Sequence, residues 1–222
     1  MNIVFSLIKK RVKLGKAFTI IAPDTDCGKT YATAYLLKNK VNAIACKPIQ
    51  TGSTDGKSQD LDFILKTAGI SVLNEIYEKL VHCTLKMPTS PLLASQIENK
   101  KIDLDEIIEK IRELSNNYDL LFVETAGGIY SPITDTETNV DLAKKLGFTV
   151  IICIPNRVGA ISLSVLAAKS VVAEGLKIEG AVFSQTIKPQ NKTDEMICKD
   201  NVEQFQKMTG IKVLADLKFG EL

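Results

Sequence analysis

The sequence predicts an α/β fold: a single domain in three layers, with a mostly parallel central sheet flanked by helices. Three observations carry that expectation. From Phe18 onward, short apolar runs rich in β-branched residues alternate with longer helical patterns, as expected of strands joined by helical crossovers. Three helical patterns stop at a glycine and a strand pattern follows almost at once, in "KKLGFTV", "VAEGLKI" and "KMTGIKV". Gly147, Gly175 and Gly210 there suit the left-handed position that ends a helix. Finally, 222 residues suffice for one sizeable core, and no Pro/Ser-rich linker, repeat or low-complexity tract marks a second domain.

Taken in order, residues 1–16 ("MNIVFSLIKKRVKLGK") are expected to form an irregular extension, or to reflect an early start codon, ahead of a domain spanning 17–222. Their apolar run precedes the basic one, the reverse of a signal peptide, and no small-residue cleavage site follows. The stretch is too short to span a bilayer, and a membrane-surface helix is the less favoured reading. "FTIIA" is the first strand; it runs into the loop "PDTDCGKT" and the helical pattern "KTYATAYLLKNK". "NAIACK" is the second strand, stopped by Pro48. The clearest helix covers Asp103 to Asn116, with Leu104, Ile107, Ile108, Ile111 and Leu114 on one face and Asp103 and Glu106 placed as a capping box. "DLLFVE", "FTVIICI", "IEGAVFS" and "IKVLADL" complete six strands.

Composition removes several function classes. Lys and Arg number 28 against 26 Asp and Glu, so a net charge of +2 gives no broad field for nucleic acid, and phosphate binding has to be local. The five cysteines are odd in number, widely separated and without metal spacing, which fits reduced thiols in the cytoplasm. Cys46 and Cys153 lie inside apolar runs and are expected in the core. One histidine, His82, cannot anchor a multi-histidine metal site and disfavours a Ser-His-Asp hydrolase.

The chemistry is expected at three strand ends. A loop between strand and helix that ends in Gly28-Lys29-Thr30 wraps its backbone N–H groups around phosphate, and the helix N-terminus adds partial positive charge. Lys29 would reach the β and γ phosphates and Thr30 would ligate Mg²⁺; the first glycine of the full pattern is Ala22 here. This is a P-loop NTPase signature. Lys47 stands at the end of the second strand, where ligands of parallel sheets bind, although a solvated lysine is common there too. Glu124 closes "DLLFVE" ahead of Gly127 and Gly128, a place where a carboxylate holds Mg²⁺ near a P-loop or simply caps a turn. Asp60 in "SQDLDFIL" is a third candidate magnesium ligand, or an N-cap.

"APDTDCGKT", "KPIQTG", "SQDLD", "PTSPLLAS", "VETAGGIYSPI" and "VGAISLSVLAA", in this order and at these separations, resemble dethiobiotin synthetase from Phe18 to the C-terminus. The resemblance implies ATP and Mg²⁺ as cofactors and 7,8-diaminopelargonic acid and CO₂ as substrates. A carbamate of the diamine is phosphorylated to a carbamic-phosphoric anhydride, and the second amine closes a cyclic urea. It implies Lys47 and Lys29 as catalytic residues, Thr51 as a substrate contact, and Thr30, Asp60 and Glu124 as metal ligands. Lys29 and Lys47 are expected to arrive from adjacent strand ends and to flank the reacting groups from different sides. It places Asp26, Cys27, Gly28, Lys29, Thr30, Tyr31, Asp60, Glu124, Thr125, Ala126, Gly127, Ser184 and Gln185 around the nucleotide. It also implies a homodimer in which Gly159, Ala160 and Ile161, at a helix N-terminus, bind the substrate carboxylate across the interface.

The sequence departs from the family pattern at several positions. Thr125 replaces a glycine, Ser184 an asparagine, and Ser162-Leu163 an Asn-His pair; Lys218 stands where a proline usually contacts the nucleotide. These departures leave the phosphate chemistry intact and bear on base recognition and the carboxylate contacts. The alternative from another class is a partition or septum-positioning ATPase acting by nucleotide-gated dimerisation. Its signature lysine, five residues before the P-loop lysine, is Asp24 here, and no basic surface for DNA accompanies it.

Overall fold

The computed structural model describes residues 16–222, so the expectations for the preceding segment lie outside the described residues. In chain order the elements are β1 (Lys16–Ile21), α1 (Lys29–Leu37), β2 (Ala43–Cys46), β3 (Ile49–Gln50), α2 (Gln59–Ala68), α3 (Asn74–Tyr77), β4 (Cys83–Thr84) and α4 (Pro91–Ile97). They continue with α5 (Leu104–Ser115), β5 (Leu120–Glu124), α6 (Asn139–Leu146), β6 (Thr149–Pro155), α7 (Ala160–Ala173), β7 (Ile178–Ser184), α8 (Lys192–Thr209) and β8 (Val213–Leu217). All six strands expected from sequence form one sheet of order β2-β5-β1-β6-β7-β8, with every pairing parallel. β3 and β4 pair separately as a two-residue ladder that the sequence pattern does not announce.

The strands read as unbroken apolar runs because both faces of the sheet are covered. Side chains alternate across it: Ile151 and Cys153 of β6 pack with α1 residues Ala32 and Leu37, whereas Val150, Ile152 and Ile154 pack with α7 and with Phe205 of α8. At the other end of the sheet, α5 lays Ile107, Ile108, Ile111 and Leu114 on Leu121 and Val123 of β5. Cys46 and Cys153 are buried in these cores. Truncating fully buried Ile111 to Ala would cost ~2–5 kcal/mol by leaving a cavity against β5.

Gly147 and Gly210 cap α6 and α8 with φ of 70° each, and Gly175 follows the end of α7 with φ 77°, as their sequence positions suggest. Two local expectations need correction. The Asp103 side chain accepts from Glu106 N at 3.0 Å, but Glu106 turns toward Lys110 (2.6 Å) rather than completing a capping box, because the i,i+4 pair competes for the same carboxylate. And β1 and β2 are not neighbours: β5 lies between them, so Lys29 and Lys47 arrive from strand ends on either side of Glu124.

Candidate active site

The loops at the carboxyl ends of β1, β2 and β5 surround a cavity of about 770 Å³. The P-loop turns into α1 at Gly28, whose φ of 80° lies in the left-handed region. A Cβ there would stand 2.5 Å from Ser184 Oγ, so glycine is required by backbone conformation and by space alike. Gly128 allows a second close approach, since a Cβ on it would meet Pro23 O at 2.7 Å. The first turn of α1 has no side-chain cap and no acidic residue, which leaves its N–H groups and dipole available to an anion.

Lys29 is buried, and its ammonium donates to Gly127 O (2.7 Å) and Asp24 O (3.2 Å), bridging the P-loop to the loop after β5. Carbonyls leave its charge uncancelled. Burial lowers its pKa, the Lys47 charge lowers it further, and Glu124 opposes both.

Lys47, 3% exposed, donates to Glu124 Oε1 at 2.8 Å and Thr125 O at 3.2 Å and pairs with Asp60 Oδ2 at 2.9 Å. It is therefore a buried, fully bonded ammonium rather than a solvated one. Burial disfavours its charge, but Glu124 and Asp60 outweigh that cost and hold its pKa above the usual lysine value. Asp60 is shifted the other way: burial raises its pKa, and the Lys47 ammonium outweighs burial and keeps the carboxyl below its ordinary range. Ser58, not Asp60, caps α2, its Oγ accepting from Leu61 N at 3.1 Å, so Asp60 in the first turn is free to face the cavity.

Glu124, fully buried at the end of β5, receives Thr30 Oγ1 on Oε1 at 2.9 Å and Thr33 Oγ1 on Oε2 at 2.8 Å. The Thr33 hydroxyl lies equally close to Lys29 O (2.8 Å) and has one proton to give; donation to the carboxylate is the charge-assisted choice. Thr33 was not among the residues singled out from sequence. Its signal is spacing: it follows Thr30 by three and Lys29 by four, one turn along the same face of α1. Phe63 was missed likewise. It lies one turn beyond Asp60, lines the cavity, and stacks on Tyr31 with ring centroids 6.3 Å apart.

Of the residues expected from sequence, Asp26 to Tyr31, Lys47, Thr51, Asp60, Glu124, Ala126 and Gly127 line this cavity. Thr125 points away, its hydroxyl donating to Ile20 O at 3.0 Å. Ser184 is buried behind Gly28, and Gln185 accepts from Phe219 N at 3.3 Å, fastening the C-terminal segment. Leu222 N in turn donates to Tyr31 Oη at 2.6 Å. Gly159 caps α7 with φ 85° and open space at its Cβ position, and neither it nor Ala160 and Ile161 reach the cavity of their own chain. Lys218 pairs with Asp216 at the surface. His82 lies apart from the site, where burial and then the Lys110 charge lower its pKa to about 4.

The donor set suits a magnesium ion shared with phosphates. Asp60 and Glu124 converge on one cationic position, Thr30 adds a hydroxyl, and all are hard oxygen donors. Among the described residues no group of three or more His, Cys, Asp or Glu could hold a metal by itself, so phosphate oxygens would have to complete the coordination. No described helix is long and apolar enough to cross a membrane.

A family described as "AAA domain" matches residues 16–221. ATP-dependent dethiobiotin synthetase BioD of Anoxybacillus flavithermus is 33% identical over 213 residues, covering 91% of each chain. The Fusobacterium nucleatum protein of the same name is 33% identical and covers 93% of each chain; that of Clostridium acetobutylicum is 30% identical over 90% of this chain and 85% of its own. Among solved structures, the MinC:MinD cell division complex of Aquifex aeolicus matches with TM-score 0.57 at 15% identity, over 94% of this chain and 83% of that one. A ParA family ATPase of Chlorobium tepidum matches with TM-score 0.56 at 13% identity, over 93% and 85%. At such identities these structures share the fold alone.

Proposed function

Because the chain belongs to the AAA-domain family and to the ATP-dependent dethiobiotin synthetases, we propose that it carboxylates 7,8-diaminopelargonic acid with CO₂ and closes the ring. ATP and Mg²⁺ are consumed or required, and dethiobiotin, ADP and phosphate result. The observation that carries this reading is the pair of buried lysines meeting at one cavity. The Lys29 and Lys47 ammonium groups contact carbonyls two residues apart on the loop after β5, Gly127 O and Thr125 O.

The reaction joins two anions, and at an effective dielectric near 20 two unit charges ~4 Å apart repel by ~4 kcal/mol. Lys29 would neutralise the phosphate chain from the P-loop side, and Lys47 would face the carbamate and γ-phosphate from the β2 side. The carbamate oxygen bonds to the γ-phosphorus as the bond to the β-phosphate oxygen breaks, releasing ADP. The second amine then attacks the carbamoyl carbon and the C–O bond to the phosphoryl group breaks, releasing phosphate. That attack is intramolecular, so orientation supplies much of the acceleration. Thr30, Asp60 and Glu124 are the residues that would hold Mg²⁺, which when bound supplies further charge neutralisation at the phosphates. Thr51, at the cavity wall, is suited to the diamine.

The substrate end supports a homodimer. Gly159 sits at the start of α7 beside Val158, which is 69% exposed, and neither it nor the first residues of α7 line the home cavity; Leu166 and Val172 further along the helix are exposed as well. A partner copy would bring that helix start to the carboxylate of the diamine. A cytoplasmic location accords with five free cysteines. The positioning-ATPase alternative rests on shared fold and lacks the signature lysine at Asp24.

The test supplies Mg²⁺, ATP, bicarbonate and 7,8-diaminopelargonic acid. ADP should form in equal amount with dethiobiotin, and omission of the diamine should leave only slow hydrolysis. Hydrolysis indifferent to the diamine and stimulated by DNA, lipid or a partner protein would overturn the reading.

A further inference from the structure

The Lys47 ammonium has three N–H donors, and all three are committed: to Glu124 Oε1 (2.8 Å), Asp60 Oδ2 (2.9 Å) and Thr125 O (3.2 Å). In this arrangement Lys47 cannot engage a substrate anion without giving up a partner. The two partners with charge are the two carboxylates that the proposed function assigns to the metal. Thr30, the third assigned ligand, spends its hydroxyl on the same Glu124 Oε1 at 2.9 Å. The position between the carboxylates is thus already filled by a cation, and that cation is the protein's own.

We propose that Lys47 is an internal counter-ion that occupies the divalent-metal position until Mg²⁺ arrives, so that metal loading and release of Lys47 toward the reacting anions are one exchange. The inference rests on the dethiobiotin synthetase reading of the site and adds its regulation. Two physical constraints force the exchange. Glu124 is fully buried and cannot lose its cation without another replacing it, because an unpaired buried carboxylate is strongly disfavoured; Asp60, whose side chain is 34% exposed, shares that cation with it. Conversely, Lys47 at 3% exposure gives up two charged partners if it leaves its carboxylates, and the phosphate or carbamate charge is what would replace them. The resting network is therefore closed on itself, one ammonium shared between two carboxylates, and it retains one negative charge that favours a divalent ion in place of Lys47. By linkage, whatever strengthens metal binding weakens the hold on Lys47, and the reverse.

The experiment titrates Mn²⁺ into the full chain saturated with the non-hydrolysable analogue adenylyl imidodiphosphate and follows free Mn²⁺ by electron paramagnetic resonance. Wild type, Lys47→Met and Asp60→Asn are compared. With its competitor removed, Lys47→Met should bind Mn²⁺ on the order of tenfold or more tightly than wild type, and Asp60→Asn more weakly. Unchanged or weaker Mn²⁺ binding in Lys47→Met, alongside weakened binding in Asp60→Asn, would overturn the exchange while leaving the ligand assignment standing. Unchanged binding in Asp60→Asn would remove Asp60 from the metal site, and the proposal with it. Should Lys47→Met fail to fold, a crystal structure of wild type with Mn²⁺ and the same analogue decides. Lys47 Nζ beyond about 4 Å from Asp60 supports the exchange. Both ion pairs intact beside a bound metal would refute it.

Discussion

Along the carboxyl edge of the sheet, the half made by β2, β5 and β1 buries charge, and the half made by β6, β7 and β8 buries amides and hydroxyls. In the first half Lys29, Lys47 and Glu124, with Asp60, surround an open cavity. In the second, the polar groups are bonded to one another. Asn156 Nδ2 donates to Cys198 O (3.1 Å) and Asp216 Oδ1 (2.9 Å), and its Oδ1 accepts from Asn201 at 2.9 Å. Gln185 holds Phe219. The difference separates two uses of buried polarity. Ionic groups that line an open cavity suit a charged ligand, whereas a closed amide network fixes the shape of loops and chain end. Gly28, pressed against Ser184, is one point where the two halves touch.

Substitutions in the two halves should therefore fail in different currencies. The largest expected effect is Lys47→Met, which should lower kcat roughly 10²-fold or more, the scale of removing one transition-state electrostatic partner, with metal-free nucleotide affinity nearly intact. Parallel loss of both in a binding titration would instead place Lys47 in the nucleotide site.

Next comes the contact between the halves. Gly28→Ala combines a positive φ with a Cβ 2.5 Å from Ser184 Oγ and should weaken nucleotide binding about tenfold or more, through backbone strain of order 1–3 kcal/mol. Adding Ser184→Gly should restore only part, since the strain in φ remains; calorimetric titration of the three variants measures both parts.

Thr33→Val keeps shape but removes the proton given to Glu124. A fall in kcat of about tenfold with little change in KM for ATP is expected, and Thr33→Ser should recover most of it. A Ser variant as poor as Val would reduce Thr33 to packing.

The smallest effect on turnover should come from Asn156→Ala in the amide network. It should lower unfolding free energy by ~1–3 kcal/mol in a denaturant titration while kcat stays within about twofold. A large loss of kcat with unchanged stability would erase the distinction between the halves.

The sequence made the strands legible because a sheet covered on both faces demands unbroken apolar runs, and such runs stand out against helical periodicity. The glycine-terminated helices were legible for an equally local reason. Strand order was not: nothing in "DLLFVE" says that it inserts between β1 and β2, because that choice is made by packing of α5 and α1 on opposite faces. The site shows the same division. Gly28-Lys29-Thr30 is read from a contiguous loop, but the burial of Lys47 depends on Glu124, 77 residues away, and is invisible in "CKPIQTG". Asp60 could not be told from an N-cap until Ser58 was seen to cap α2. Thr33 was overlooked because a threonine within a helix carries no local signal of the carboxylate it meets.

In the proposed reaction the charged half of the edge joins a carbamate to the γ-phosphate. Single-turnover reaction with C¹⁸O₂ in unlabelled water, quenched before the label exchanges, tests it directly by mass spectrometry of the products. Attack by a carbamate oxygen and expulsion of that oxygen on ring closure should put one ¹⁸O in the released phosphate and one in the urea carbonyl. Phosphate free of ¹⁸O, alongside ADP formation, would mean that water rather than carbamate receives the phosphoryl group, and would contradict the account.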